Sequence, residues 1–407
     1  MLPRARTMWT KLLPLGLIVA SSALPAQTFP EALAAARRND AIYSQRQGEV
    51  QLERLQARQA KLAYLPSVGI GYRESDVGNT AWTSEATLTQ PILDYDRWQQ
   101  LRQSRPLSQR ADATAREVEQ DLARRVFQAM ANVILARETL RALGVQVQNL
   151  EGQTARAKRM REMGQGTVTE ISDFEVRLAA ARANQLKTSS DLHSAERAFI
   201  LLTGIEPQVD RINVDAVFPK GPLQQREWYR EQVLRGNLAV ELSRRNVELA
   251  EINLKRARAE YLPKVTGFVS YGKTEGFPAA DDARIGVNLA VPLNTGYLLS
   301  SSRAGVELRR ARDAARYAEE FVANETERLH AQVAAVQREV TIREQVIDNA
   351  KLAVEGNLKG YQGGIRSNID VVTAIQNLTD AEVALVSSRL NLASSFLNLE
   401  ILRGVTP

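Results

Sequence analysis

Hydrophobic and polar positions run through this chain with two periods, one helical and one extended, and each occurs in both halves. From Val126 the apolar positions Val126, Ala129, Val133, Ala136, Leu140, Leu143, Val147 and Leu150 advance by alternating steps of three and four. This is the heptad seam of helices wound around one another. The seam returns at Leu329, Val333, Val336, Val340, Ile347, Ala350 and Val354, with Arg343 interrupting it where the first half has Leu143. A helix filling the span from Pro91 to Gly164 is on the order of 100 Å long, far beyond the ordinary globular helix. Alanine is frequent along both seams, which suits close approach of helices rather than a thick core.

Two shorter stretches in each half alternate instead with a period of two. Val68, Ile70 and Tyr72 alternate with Ser67, Gly69, Gly71 and Arg73, and Trp82, Ala86 and Leu88 with Thr83, Glu85, Thr87 and Thr89. In the second half Val265, Val269 and Tyr271 alternate with Lys264, Thr266 and Ser270. Ile285, Val287, Leu289 and Val291 likewise alternate with Arg284, Gly286, Asn288 and Ala290. Turns are expected at Asp76 to Thr80 and near Thr274 to Asp282. Strands of about ten residues cross a bilayer when tilted, with the apolar side toward lipid and the polar side toward a lumen. Two soluble hairpins packed on helices satisfy the same alternation. In lipid, four strands are too few to close a barrel, whose smallest examples have about eight. Three copies, giving about twelve strands, are the simplest repair; the residues alone do not choose three over two.

The two halves are related. The chain matches itself at a shift of about 200 residues: Tyr64-Leu65-Pro66 returns as Tyr261-Leu262-Pro263, Pro91-Ile92-Leu93 as Pro292-Leu293-Asn294, and Leu202-Thr203-Gly204 as Leu402-Arg403-Gly404. Gln208 to Pro222, rich in Pro, Asp and Gly, is the natural junction. The expected organisation is a first repeat over 27–220, with a strand pair at 66–91 and a helical hairpin at 94–204. A second repeat over 221–407 has its strand pair at 263–292 and its hairpin at 298–403.

At the far end of each hairpin Gly164 and Gly166, and Gly363 and Gly364, provide turns. Thr167-x-x-Glu170 and Ser367-x-x-Asp370 then fit capping boxes that start the returning helices. Capping alone explains these residues. Repeated around a symmetric assembly, the same tips also place rings of Glu170 and Asp370 at the narrow end of a helical tube, where carboxylates favour cations. Arg366 and Tyr361 are close enough in sequence to pair with them and hold the end shut.

Residues 1–26 read as an export signal: Arg4, Arg6 and Lys11, then an apolar run from Leu12 to Ala20, then small residues to Ala26. The run is too short, and carries Pro14, for a spanning helix. Its removal takes three cations from a formal charge of +6, which leaves no strongly basic surface for nucleic acid. The absence of Cys excludes disulfides, thiolate metal sites and lipid attachment at a cysteine. His193 and His330 share no metal spacing, and there is no phosphate-binding loop or nucleophile elbow. Ser300-Ser301-Ser302 fits a helix N-terminus better than a nucleophile. No enzyme, cofactor or metal is expected.

This ordered layout resembles the TolC family of outer-membrane channels over almost the whole chain after the export signal. Thr28-Phe29-Pro30-Glu31-Ala32-Leu33 with Arg38-Asn39-Asp40 is similar to the family's start. The Tyr-Leu-Pro triplets and Gln90-Pro91-Ile92-Leu93-Asp94 resemble its helix–strand junctions. The run Tyr361 to Val371 resembles its periplasmic aperture sequence. The resemblance implies a fold that is mainly α with a small β part: a long coiled-coil barrel joined to a transmembrane β-barrel of four strands per protomer. It implies a homotrimer in the outer membrane of a Gram-negative bacterium, with a helical tunnel in the periplasm. It further implies passive export driven by an inner-membrane ABC transporter, or an RND pump, through a periplasmic adaptor (membrane fusion) protein. Aperture roles carry over onto Thr169, Glu170, Tyr361, Arg366 and Asp370, while Thr373 stands where the best-known member has a second Asp. The run Leu88 to Asp94 with Trp98, and the missing lipidated Cys, resemble the type I protein secretion branch more than multidrug efflux. A periplasmic coiled-coil adaptor or scaffold is the reading of a different class.

Overall fold

In the computed structural model the described residues are 28–75, 81–208, 223–275, 280–292 and 296–406. The export signal, the turn at Asp76 to Thr80 and nearly all of the junction at Gln208 to Pro222 lie outside them. Each half repeats the order helix, helix, strand, strand, helix, helix. The first half has α1 (Phe29–Asn39), α2 (Ala41–Leu62), β1 (Ser67–Ser75), β2 (Ala81–Leu93), α3 (Tyr95–Glu162) and α4 (Val168–Thr203). The second has α5 (Arg226–Gly236), α6 (Leu238–Ala259), β3 (Lys264–Glu275), β4 (Ala280–Ala290), α7 (Tyr297–Gln362) and α8 (Asn368–Leu402).

The four strands form one antiparallel sheet in chain order, β1-β2-β3-β4. The register separates the side chains cleanly. The row Val68, Leu88, Val269, Ile285 runs across one face, and Gly69, Thr87, Ser270, Arg284 across the other. Because side chains alternate, Ile70, Tyr72, Tyr271, Val287 and Leu289 join the first face, all of them exposed. Strands β3 and β4 continue to Glu275 and from Ala280, so the second expected turn is narrower than the run from Thr274 to Asp282. A bulge between Pro91 and Leu93 lets β2 leave the ladder.

Helix α3 has 68 residues, about 100 Å at the α-helical rise. Asp94 starts it, accepting the Arg97 amide at 3.1 Å, and Pro106 is accommodated inside it at the loss of one backbone hydrogen bond. Near the sheet α2 packs on α3, α3 on α6 and α6 on α7; farther away α4 packs on α3, α3 on α8 and α8 on α7. The seam of α3 is therefore double. Val126, Val133, Leu143, Val147 and Leu150 are buried as expected, but Ala129, Ala136 and Leu140 are half-buried, and Phe127, Met130, Ile134 and Ala142 are buried beside them. A helix with neighbours on two sides buries two stripes.

The Leu-x-Gly repeats have a structural reason. Gly204 and Gly404 follow α4 and α8 in the left-handed region, with φ of 72° and 89°, which glycine alone adopts without strain. A Cβ on Gly204 would lie 2.8 Å from Asn39 Oδ1, and one on Gly404 would collide with the Gly236 carbonyl. Asn39 Nδ2 donates to the Leu201 carbonyl at 2.9 Å, and Asn237 Nδ2 to the Leu402 carbonyl at 2.8 Å, so each half fastens its last helix to its first helix pair through an asparagine amide, from positions one residue apart in the repeat. Beside this strap Asp40 caps α2 and pairs with Arg125 at 2.7 Å. Burial opposes ionisation there, but Arg125 and the Tyr43 amide outweigh it and hold the carboxyl below the usual aspartate range. Ser300 to Ser302 run from the end of the first turn of α7 into its second rather than standing at its N-cap, which is Gly296.

Candidate functional site

Two regions bear on function: the faces of the sheet and the tips of the hairpins. The polar face of the sheet opens onto a cavity of 680 Å³ lined by Lys264, Thr266 and Asn288 with Asp94, Asp96, Arg97 and Gln100 at the start of α3. Deeper along that face Arg284 is ion-paired with Asp282, close to Glu85. The opposite face is apolar and exposed, Ile70 at 86% and Ile285 at 85%. No described helix is long and apolar enough to cross a membrane. A sheet with one lipid-compatible and one hydrated face, continued by helices about 100 Å long, is built to carry an aqueous path.

At the tips both capping boxes form. Thr167 Oγ1 accepts the Glu170 amide at 3.2 Å while Glu170 accepts the Thr167 amide at 3.1 Å; Ser367 and Asp370 exchange the same bonds at 3.3 and 3.0 Å. The Ser367 amide first, then its hydroxyl and the nearby Arg366, hold the Asp370 carboxyl below its ordinary range. Gly164 and Gly364 take left-handed conformations, φ 74° and 73°. Gly166 is required by close approach, since a Cβ would stand 2.9 Å from the Arg161 nitrogen. Gly363, with φ of −87°, has no such need.

Within one protomer neither Arg366 nor Tyr361 bonds to Glu170 or Asp370. The stem of Arg366 lies across Gly360, where a Cβ would sit 2.6 Å from its Cγ. Tyr361 packs edge-on against Phe174, ring centroids 6.4 Å apart at 69°. Burial, and secondarily the Glu170 charge, raise the Tyr361 phenol above its usual value. Thr169 is exposed on the first turn of α4. Arg366 and Asp370 share a groove of 860 Å³ between α7 and α8, whose lining includes Arg343, Thr373, Asn377 and Asp380.

Several tip residues escape sequence reasoning. Asn368, buried at the start of α8, donates to Asp173 of α4 at 3.4 Å, and Val372 of α8 joins Val147, Leu150, Ile171 and Phe174 in one core. Gln146 of α3 donates to Gln376 of α8, which donates to Asp380 at 2.9 Å. These contacts hold the two hairpins together. Neither histidine joins a cluster: His193 is exposed, and His330 meets the Gln224 carbonyl and the Tyr229 ring. Among the described residues no group of three ligand-type side chains could hold a metal.

The fold and its two-faced sheet define an outer-membrane channel with a helical tunnel. The profile of the family described as Outer membrane efflux protein matches residues 29–205 and again 229–405, and the chain belongs to that family. It is similar to the proteases secretion protein PrtF of Dickeya chrysanthemi, 25% identical over 79% of this chain and 72% of the relative. The outer membrane protein TolC of Vibrio cholerae is 24% identical over 96% of this chain and 94% of its own length. Among solved structures, the outer membrane protein VceC of Vibrio cholerae superposes with a TM-score of 0.78 at 18% identity, covering 92% of this chain and 96% of that one. The double family match agrees with the duplication, and the location is the Gram-negative outer membrane.

Proposed function

We propose that three copies of this chain form the passive exit duct of a tripartite export system, driven by an inner-membrane transporter through a periplasmic adaptor protein. The observation that carries this reading is the open four-stranded sheet. Among the described residues strands β1 and β4 each leave one edge unpaired, and open edges are not tolerated in lipid, so the sheet must close with copies of itself. The lateral helices support this. Leu52 and Leu55 of α2 and Val176 and Leu186 of α4 are exposed on one flank, and Leu299, Phe321, Ile342 and Leu352 of α7 on the other. Apolar side chains on both flanks fit a ring of identical subunits.

Type I protein secretion is the favoured pathway. Besides PrtF, a relative named alkaline protease secretion protein AprF, from Pseudomonas aeruginosa, is 23% identical over 80% of this chain. The second reading, small-molecule efflux, is supported by the TolC relative and by the outer membrane efflux protein BepC of Brucella suis, 22% identical over 92% of this chain. In either pathway Glu170, Asp370, Arg366, Tyr361 and Thr169 form the periplasmic aperture.

Single-channel conductance of the purified protein in a planar bilayer, with oligomeric mass from the same sample, tests the duct. Small cation-selective steps from a trimer support it, and a monomer or dimer without conductance overturns it. Comparing exported proteins and drug sensitivity after deletion then separates secretion from efflux.

A further inference from the structure

A second groove, of 490 Å³, lies between α3 and α6 on the side of α3 away from the polar cavity. It is lined by Leu101, Arg102, Ser104 and Arg105 of α3 and by Glu248, Glu251, Ile252 and Lys255 of α6. Arg102 stands about 200° around the helix from Gln100, which lines the polar cavity. The groove therefore opens outward, on the same side as the apolar face of the sheet. Because α3 and α6 are the middle helices of the row α2-α3-α6-α7, a neighbouring subunit joined at the flanks leaves it uncovered.

Its charge is unbalanced. Glu248 is engaged by Arg245 at 3.1 Å and Glu251 by Arg312 at 2.8 Å. Among the described residues Arg102, Arg105 and Lys255 have no ion-pair partner, and all three are exposed. The Arg102 guanidinium lies 5.4 Å from the centroid of the Trp98 ring, itself 44% exposed. Trp98 is a residue of the membrane–water boundary by type and position, next to Tyr95 at the end of β2. Arg102 is about 6 Å farther along the helix axis and Arg105 about 10 Å. Lys255 is about 6 Å before the end of α6. The polar layer of a bilayer is roughly 5–8 Å deep on each side, and long basic stems extend toward it.

We propose that this groove binds the phosphate of a net-anionic phospholipid headgroup in the periplasmic leaflet, one with no ammonium to offset its charge, with Arg102, Arg105 and Lys255 as its cationic ligands and Trp98 against the glycerol region. The inference rests on the outer-membrane location and not on the export pathway. Outward basic pockets beside a membrane-spanning surface are suited to such headgroups.

The test uses the full chain in nanodiscs of phosphatidylcholine alone or with phosphatidylglycerol. Phosphatidylglycerol is expected to raise the melting temperature by a few degrees, since a ligand that binds only the folded state stabilises it. The variant Arg102→Gln/Arg105→Gln/Lys255→Gln loses that rise, Arg102→Lys/Arg105→Lys keeps it, and Arg159→Gln/Arg161→Gln at the distal tip keeps it in full. Should the triple variant fail to fold, Lys255→Gln and Arg105→Gln, each at an exposed side chain, are expected to lose part of the rise. Full retention in every groove variant, or no effect of phosphatidylglycerol on the parent, overturns the site. Inorganic phosphate reproducing the rise in phosphatidylcholine overturns the lipid assignment. Conductance of the same protein preparations in a planar bilayer keeps the channel reading separately testable.

Discussion

Phe174 of α4 and Tyr361 in the last turn of α7 meet edge to face, joining the two hairpin tips of one protomer through an aromatic contact. Phe174 is wholly buried, so Phe174→Ala is expected to cost about 3–5 kcal/mol locally. Hydrogen exchange at the tips should rise while the sheet stays protected; unchanged tip protection would show that Tyr361 is held by other means.

Among the described residues of one protomer Arg366 makes no carboxylate pair, so in the proposed assembly a closing role is exercised across a subunit boundary. Arg366→Ser is then expected to enlarge the resting conductance and admit bulky antibiotics. Identical conductance and antibiotic sensitivity in the variant would confine Arg366 to packing over Gly360.

Asp370 carries a pH prediction. Its folded-state pKa lies below the ordinary value of 3.8, so its cap stabilises α8 fully above that value and the contribution fades as pH falls through the depressed one. Asp370→Asn should flatten this acid-side loss in a melting profile. If Asp370 also lines the path, cation selectivity falls too, read as a shift in reversal potential.

Gly404 is held between a left-handed backbone and the Gly236 carbonyl. Gly404→Ala is therefore expected to destabilise by more than the roughly 1 kcal/mol typical of a positive-φ glycine replaced without a clash. Thermal unfolding of the purified oligomer checks this, with Gly363→Ala, which faces neither constraint, as the near-neutral comparison.

Asn237 accepts the Ala239 and Val240 amides and donates to the Leu402 carbonyl. Its loss removes a helix cap and a buried strap, so Asn237→Ala should cost about 1–2 kcal/mol. The shift is expected in the melting temperature with conductance unaltered.

What could be read from the chain followed from how each element is buried. The strands were legible because one face of the sheet meets lipid and the other water, which writes a strict alternation into Val68-Gly69-Ile70-Gly71-Tyr72. The caps at Thr167 and Ser367 were legible because capping is local. Helices α1, α2, α5 and α6 were not foreseen. Leu52 and Leu55 of α2, for example, are exposed while Val50 and Ala57 are buried. A helix in a one-layer wall touches neighbours only along narrow edges, and its apolar pattern blurs. The Asn368–Asp173 and Gln146–Gln376 bonds join residues far apart in the chain, and no local pattern announces such partners.

The unpaired edges of β1 and β4 have a kinetic consequence. A solitary subunit would carry two rows of bare amide and carbonyl groups into the hydrocarbon, each costing several kcal/mol, so the bilayer is closed to it. In the proposed assembly insertion and association are then a single event, whose rate is expected to climb steeply with the supply of newly made chains. A cell starved of subunits would accumulate stranded precursors in the periplasm rather than partial pores.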